Sequence, residues 1–138
     1  MAITQAMCTS FKEECLKEGH QMATDTIKIA LFTSSATLGA TTTAYSTTNE
    51  ISGTGYSAGG VALTSQVVST SSATAYFDSA DPSWTTASFT ANGAVIYNST
   101  NSDKAIAVLA FGGDFTVSAG TFTIVFPAAG AAAIIRID

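Results

Sequence analysis

The sequence predicts a mainly β protein, an antiparallel β-sandwich or small barrel of about seven to nine strands with one N-terminal amphipathic α-helix. Three observations carry this expectation. From Asp25 onward apolar residues recur with a period of two. Gly, Pro, Asn and Asp break the chain into short runs. Only the first twenty-odd residues show a helical period instead.

The N-terminal segment comes first. Ile3, Met7, Phe11 and Cys15 step by four, Cys8 and Leu16 lie alongside, and Lys12, Glu13, Glu14, Lys17 and Glu18 fill the other faces. This is the spacing of an amphipathic helix, extending to about residue 22, with Gly19 as its stop. Such a helix must bury its stripe either on the chain's own sheet or on a partner subunit. Cys8 and Cys15 are seven residues apart, roughly 10 Å along a helix axis, beyond the reach of a disulfide. Both are expected as buried apolar thiols.

In Ile27, Ile29 and Leu31 the apolar residues alternate with Thr26, Lys28 and Ala30, which predicts a strand. Further strands are predicted at residues 61–68, 73–78, 87–90, 94–98, 105–111, 121–126 and 133–137. The turn signals between them are Gly59-Gly60, Asp81-Pro82, Asn92-Gly93, Asn101-Ser102-Asp103, Gly112-Gly113, and Pro127 with Gly130. No strand–helix alternation suggests a parallel sheet. Residues 34–60 are mostly Thr, Ser, Ala and Gly around Leu38, Tyr45, Ile51 and Tyr56, and predict a long loop with at most a short strand near Tyr45. No internal repeat or linker divides the chain, so residues 1–138 are expected as one domain, a helix over 1–22 and a β-body over 25–138.

The composition narrows the function classes. Charged residues make up 11% of the chain, against roughly a quarter in an ordinary soluble domain. Residues 29–103 contain no Lys or Arg, and their only charges are Glu50, Asp78, Asp81 and Asp103. The net charge of −5 and the five dispersed basic residues argue against nucleic-acid and anionic-membrane partners, which need clustered cations. No apolar run reaches the length of a membrane-spanning helix. The first ten residues lack the basic start and apolar run of a signal peptide, so the product is expected to stay where it is made. A charge-poor β-body gains little from repulsion between copies, and strands without edge lysines invite pairing. The composition therefore favours a protein that lies against other chains.

Motifs for chemistry are weak. His20 is the only histidine, sits beside Gly19, and suits a capping or exposed role better than a metal site, which needs several ligands. Gly55-Tyr56-Ser57-Ala58-Gly59 fits a bare nucleophile-elbow pattern without the strand before it or the helix after it. Gly53-Thr54-Gly55 with Ala58 meets only the relaxed dinucleotide fingerprint, again without its context, and is expected as a flexible turn. The aspartates are too sparse for a calcium loop and suit turns and caps. Asn98-Ser99-Thr100 is a sequon best explained as a turn after a strand. Trp84 is expected at the core edge, the alternative being an exposed aromatic for sugar or protein contact. No catalytic, metal-ligating or cofactor-binding residue is assigned.

Three stretches carry a resemblance. They are TDTIKIALFTSSATLGATTTAYSTTNEISGTGYSAGG (Thr24 to Gly60), ADPSWTTASFTANGAVIYNST (Ala80 to Thr100) and KAIAVLAFGGDFTVSAGTFTIVFP (Lys104 to Pro127), followed by a terminal AIIRID. Together they resemble small structural proteins of tailed phages, including phages of cyanobacteria, some of which are capsid cement or decoration proteins. The resemblance implies a non-enzymatic virion component on the capsid, assembled in the host cytoplasm. Its implied partners are the major capsid protein and further copies of itself, a trimer being favoured. Tail or neck components and host-surface glycan-binding modules are the alternatives. The residues expected at protein–protein interfaces are Leu38, Tyr45, Ile51 and Tyr56 of the long loop, and Met7 and Phe11 of the N-terminal stripe.

Overall fold

A computed structural model describes residues 2–17 and 19–137; Met1, Glu18 and Asp138 lie outside the described residues. The elements run β1 (Ala6–Met7), α1 (Thr9–Leu16), β2 (Ile27–Phe32), β3 (Val61–Ala62), β4 (Val67–Ser71), β5 (Thr74–Asp78), β6 (Ser83–Asn98), β7 (Lys104–Thr123) and β8 (Ile135–Ile137). They form two antiparallel sheets, one in the order β1-β7-β6-β2-β3 and the other β4-β5-β8. The sheets are arranged as in a sandwich, with no closed barrel, and one short helix accompanies them. The protein is therefore mainly β and antiparallel, as the period of two predicts.

The middle of the large sheet is the most apolar part of the chain. β2 lies between β6 and β3, with Ile29 opposite Ile96 and Leu31 opposite Ala94. Ile27, Ile29, Leu31, Val95, Ile96, Ile106 and Val108 are fully buried there. Each such side chain contributes roughly 1.5–3 kcal/mol by leaving water. Phe77 and Ile135 of the small sheet and Phe11 of α1 belong to the same core cluster.

The N-terminus departs from the expected helix. Only Thr9–Leu16 is helical. Ala6 and Met7 instead pair with Val108 and Ala107 of β7, and Cys8 N–H donates to Ile106 O at 2.9 Å. The open edge of β7 offers these residues sheet hydrogen bonds, and this tertiary pairing outweighs a weak local preference. Ile3 and Met7 still pack against the core and Phe11 is buried in it, so the stripe faces inward on a different backbone. It ends there: Cys15 is exposed and Leu16 is 91% exposed, while Cys8 is buried. The expectation that both thiols are buried is thus corrected for Cys15. Gly19 closes the helix as expected. Its N–H donates to Glu14 O at 2.7 Å, and a Cβ on it would lie 2.8 Å from that of Glu14.

Two expected turns are not turns. Residues 87–90 and 94–98 belong to the single strand β6, and residues 105–111 run on through Gly112-Gly113 within β7. The ladder shifts rather than ends. Ala91 faces Phe115, whereas Gly93 faces Ala110, so Phe111–Asp114 bulge out of β7. Gly93 is needed because a Cβ there would lie 2.6 Å from Leu109 O and 2.8 Å from Ile3 Cδ1. Asn92 Nδ2 donates to Asp114 Oδ1 across the bulge at 2.9 Å. Conversely, the single strand expected over 61–68 divides at Ser65 (φ 54°) into β3 of the large sheet and β4 of the small one.

Candidate interaction surfaces

The loop of residues 34–60 is pinned to the large sheet through Glu50. Its carboxylate accepts hydrogen bonds from Tyr45 Oη (2.8 Å), Tyr56 Oη (2.7 Å) and Gly59 N–H (2.8 Å). Tyr56 Oη in turn accepts from Leu31 N–H of β2 at 2.9 Å. Tyr97 of β6 donates to Gly59 O at 2.7 Å, and the Tyr45 ring stacks on it with centroids 4.5 Å apart. Burial is the main reason all three phenols resist ionisation. Tyr97 is pushed up to about 12, and Tyr45 and Tyr56, which also donate to the Glu50 carboxylate, are pushed higher.

This network decides what the expected interface residues do. Ile51 (5% exposed) and Phe11 (2%) are core residues. Met7, Leu38, Tyr45 and Tyr56 are half-buried and packed against that core. Most of their apolar area and both tyrosine hydroxyls are engaged within the chain. The apolar area open to a partner is provided mainly by other residues.

His20 is neither exposed nor a simple cap. Its ring is fully buried and tilts against Phe11 at 5.0 Å. Asn98, also fully buried, holds it. Asn98 Oδ1 accepts from Thr100 N–H (3.0 Å) and Asn101 N–H (3.1 Å). Its Nδ2 therefore faces Asp25 Oδ2 at 2.7 Å and His20 Nδ1 at 3.0 Å. His20 Nδ1 must accept, so Nε2–H donates to Glu14 Oε1 at 2.8 Å. The hydrogen bond from Asn98, and after it the one from Gln21 N–H, holds Asp25 below the usual carboxylate range. The set ties α1 to the β6–β7 turn and leaves no ring nitrogen for a metal or substrate.

The glycine motifs also have packing explanations. Thr54 bridges to Ser88, and a Cβ on Gly53 or Gly55 would lie 2.6 Å from Ser88 O or 2.9 Å from Ala87 Cα. Gly53-Thr54-Gly55 is a close backbone contact with β6 rather than a flexible turn. Ser57 lies next in this loop, and the chain's one histidine is committed elsewhere. Asp81 Oδ1 accepts from Phe126 N–H at 2.8 Å, a long-range bond that ties the β5–β6 connection to the segment after β7. Trp84 is 3% exposed and packs edge-on to Phe89 and Phe122. Among the described residues no cluster of His, Cys, Asp and Glu could hold a metal, and no helix is long and apolar enough to cross a membrane.

Among the described residues two apolar surfaces stand out. On the β6–β7 arm, Phe111, Phe115, Phe122 and Ile124 line an open groove of about 240 Å³. Phe115 is 53% exposed, and its ring begins an aromatic contact series through Phe111 and Phe122 to the buried Phe89. The second surface lies on the small sheet, where Val68 and Ile137 are about half exposed and line an apolar depression with Phe11, Cys15, Met22 and Ala75. Phe11 apart, none of these residues was expected at an interface from the sequence. The available signal was the pair of phenylalanines flanking Gly112-Gly113, which a bulge places on one side. A third depression, about 430 Å³, is lined largely by Ser and Thr of the long loop above Phe32 and Val95. No family model, curated protein or solved structure matches the chain.

Proposed function

We propose that this chain is a structural protein of a tailed-phage virion, a capsid cement or decoration protein that stabilises the head lattice through contacts with the major capsid protein and with further copies of itself. The observation that carries the reading is the concentration of exposed apolar area on strands almost free of charge. The groove between Phe111, Phe115, Phe122 and Ile124 is the leading surface. The resemblance of residues 24–138 to virion proteins supports it independently. Cement action needs no catalytic group. Modest neutral contacts become strong when repeated over a lattice, because each engaged contact raises the effective concentration of the next. The proposed location is the capsid of the virion, assembled in the host cytoplasm, and the reading includes neither nucleic-acid nor membrane contact.

Particles lacking this protein should lose resistance to heat and to chelation, and adding back the purified chain should restore it. Phe115→Asp should fail to restore it while retaining the fold, since Phe115 is half exposed. Undiminished resistance in particles without the protein would sink the cement role. A tail or neck position predicts few copies per particle instead of hundreds, readable from stain intensity against the major capsid protein. The glycan-binding alternative loses its main support, because Trp84 is buried.

A further inference from the structure

The edges of the two sheets are not equally guarded. Natural sheets discourage edge pairing with short strands, charges, proline or bulges. β1 and β3 are two residues long, β8 is three residues long and carries Arg136, and β7 is interrupted by the Phe111–Asp114 bulge with its aspartate. β4 has none of these devices. Its sequence, Val67-Val68-Ser69-Thr70-Ser71, contains no charge or proline, it pairs regularly with β5, and its first four residues are exposed.

The hairpin fixes which β4 groups point outward. Ser71 and Thr74 flank the two-residue turn Ser72-Ala73, with Ser72 at φ 54°. Residues flanking such a turn form a hydrogen-bonded pair, and these alternate along an antiparallel ladder. Ser71, Ser69 and Val67 therefore spend their backbone groups on β5. Val68 and Thr70 direct theirs to the open edge.

We propose that β4 pairs antiparallel with β4 of a second copy about a two-fold axis through Ser69. In this register Val68 of each copy faces Thr70 of the other. The outward N–H and C=O groups of each meet those of the other in hydrogen-bonded pairs, without shifting either strand. The two Ser69 residues face each other as a non-hydrogen-bonded pair, where a small side chain suits the close approach. No charge on β4 is brought against its own copy, which is what a self-pairing edge requires. The contact joins the two small sheets into one and aligns their exposed Val68 side chains on the face that carries Ala75 and Ile137.

This inference goes beyond the cement reading and does not depend on it. A two-fold contact closes on itself, so a trimer of the kind the resemblance implies has to use another surface.

The test uses the full-length chain with Cys15→Ser, which removes the exposed thiol. In a non-hydrogen-bonded pair the Cα atoms are about 4.5 Å apart, within disulfide range. Ser69→Cys should therefore give a covalent dimer under mild oxidation. Ser71→Cys should not, because the two copies of residue 71 lie about 14 Å apart along the strands, at about 3.4 Å per residue. Thr70→Pro removes an outward N–H without breaking a bond to β5, and should weaken dimerisation at least tenfold by sedimentation with the melting curve kept. A chain that stays monomeric at about 100 μM, well above ordinary specific affinities, would overturn the proposal. Equal cross-linking at 69 and 71, or a trimer without the 69–69 link, would do the same. Should Thr70→Pro unfold, the cysteine pair still decides. Particle stability bears only on the cement role, and solution dimerisation only on the β4 edge.

Discussion

Replacing Glu50 with alanine removes one carboxylate and leaves three donors facing the gap. The Tyr45 hydroxyl is partly exposed and can take a water. The Tyr56 hydroxyl and the Gly59 N–H are more enclosed, and each loses a charge-assisted bond of 2.7 or 2.8 Å. Such bonds contribute about 1.5–3 kcal/mol net, and an unsatisfied buried donor costs a similar amount. The two enclosed donors together imply a loss of about 4 kcal/mol, a large share of the 5–15 kcal/mol typical of a domain. For a chain of this length that corresponds to a fall in Tm of about 12–16 °C. Glu50→Gln is the informative partner. Its amide oxygen can still accept from Tyr56 and Gly59, and the Tyr45 hydroxyl can rotate to accept from its NH2 group. Only charge assistance is lost, at about 1–2 kcal/mol. Thermal and urea unfolding measure both variants, and amide exchange at Gly59 should accelerate in the alanine variant alone. A loss under 1 kcal/mol for Glu50→Ala, or equal losses for the two, would refute the claim that this carboxylate anchors the loop.

Three further predictions rest on other parts of the fold. A Cβ on Gly60 would lie 1.8 Å from Ile29 O at a φ of +74°, whereas nothing lies within 4 Å of one on Gly112 at φ +82°. Gly60→Ala should therefore cost more than about 4 kcal/mol and abolish soluble yield, while Gly112→Ala should cost about 1–2 kcal/mol and stay soluble; comparable soluble yields for the two would contradict this. Asn98→Asp places a carboxylate beside Asp25, whose Oδ2 now receives the amide at 2.7 Å. It should destabilise by about 2–4 kcal/mol at neutral pH, and the deficit against the parent should shrink below about pH 5 as the pair shares a proton; a pH-independent deficit would argue against it. Tyr97 stays protonated in the fold up to about 12, while an unfolded tyrosine ionises near its ordinary value of 10.0. Stability from this group is complete below that value and falls as the pH rises toward 12, by about 1.4 kcal/mol per pH unit for Tyr97 alone and more steeply with Tyr45 and Tyr56. Urea midpoints at rising alkaline pH, read beside phenolate absorbance, check it, and a flat profile through about pH 11 would count against it.

What the sequence discloses follows the range of the forces involved. The alternation Ile27-Ile29-Leu31 is local, and the strand lies where the pattern puts it. The step-of-four spacing of Ile3, Met7 and Phe11 correctly marks an inward face, but a strand followed by a short helix presents the same residues inward. The choice between them is made by the edge of β7, a hundred residues away in sequence. Asn92-Gly93 and Gly112-Gly113 have turn composition because glycine removes a Cβ. Whether that freedom makes a turn, admits a neighbour or opens a bulge depends on the surroundings: Leu109 and Ile3 lie against Gly93, whereas Gly112 has open space and sits in the bulge. The same holds at the candidate surfaces. Tyr45 and Tyr56 look like exposed loop aromatics until Glu50 collects their hydroxyls, and His20 looks like a cap until Asn98 fixes its tautomer. Phe115 and Val68, the residues left open to partners, belong to strands that appear ordinary in isolation.

The pairing of β1 with β7 has a consequence for how the chain comes to exist. Ala6 and Met7 find their partners at Val108 and Ala107, and β2 waits for Ile96 before its ladder can form. A ribosome releasing residues in order therefore cannot complete the large sheet until nearly the whole chain has emerged. Folding is late and dominated by long-range closure, the slow regime for β proteins. For that interval the near-neutral strands are unpaired, with few charges to keep neighbouring nascent chains apart. Slower synthesis or lower temperature should raise soluble yield more than any change to the finished surface.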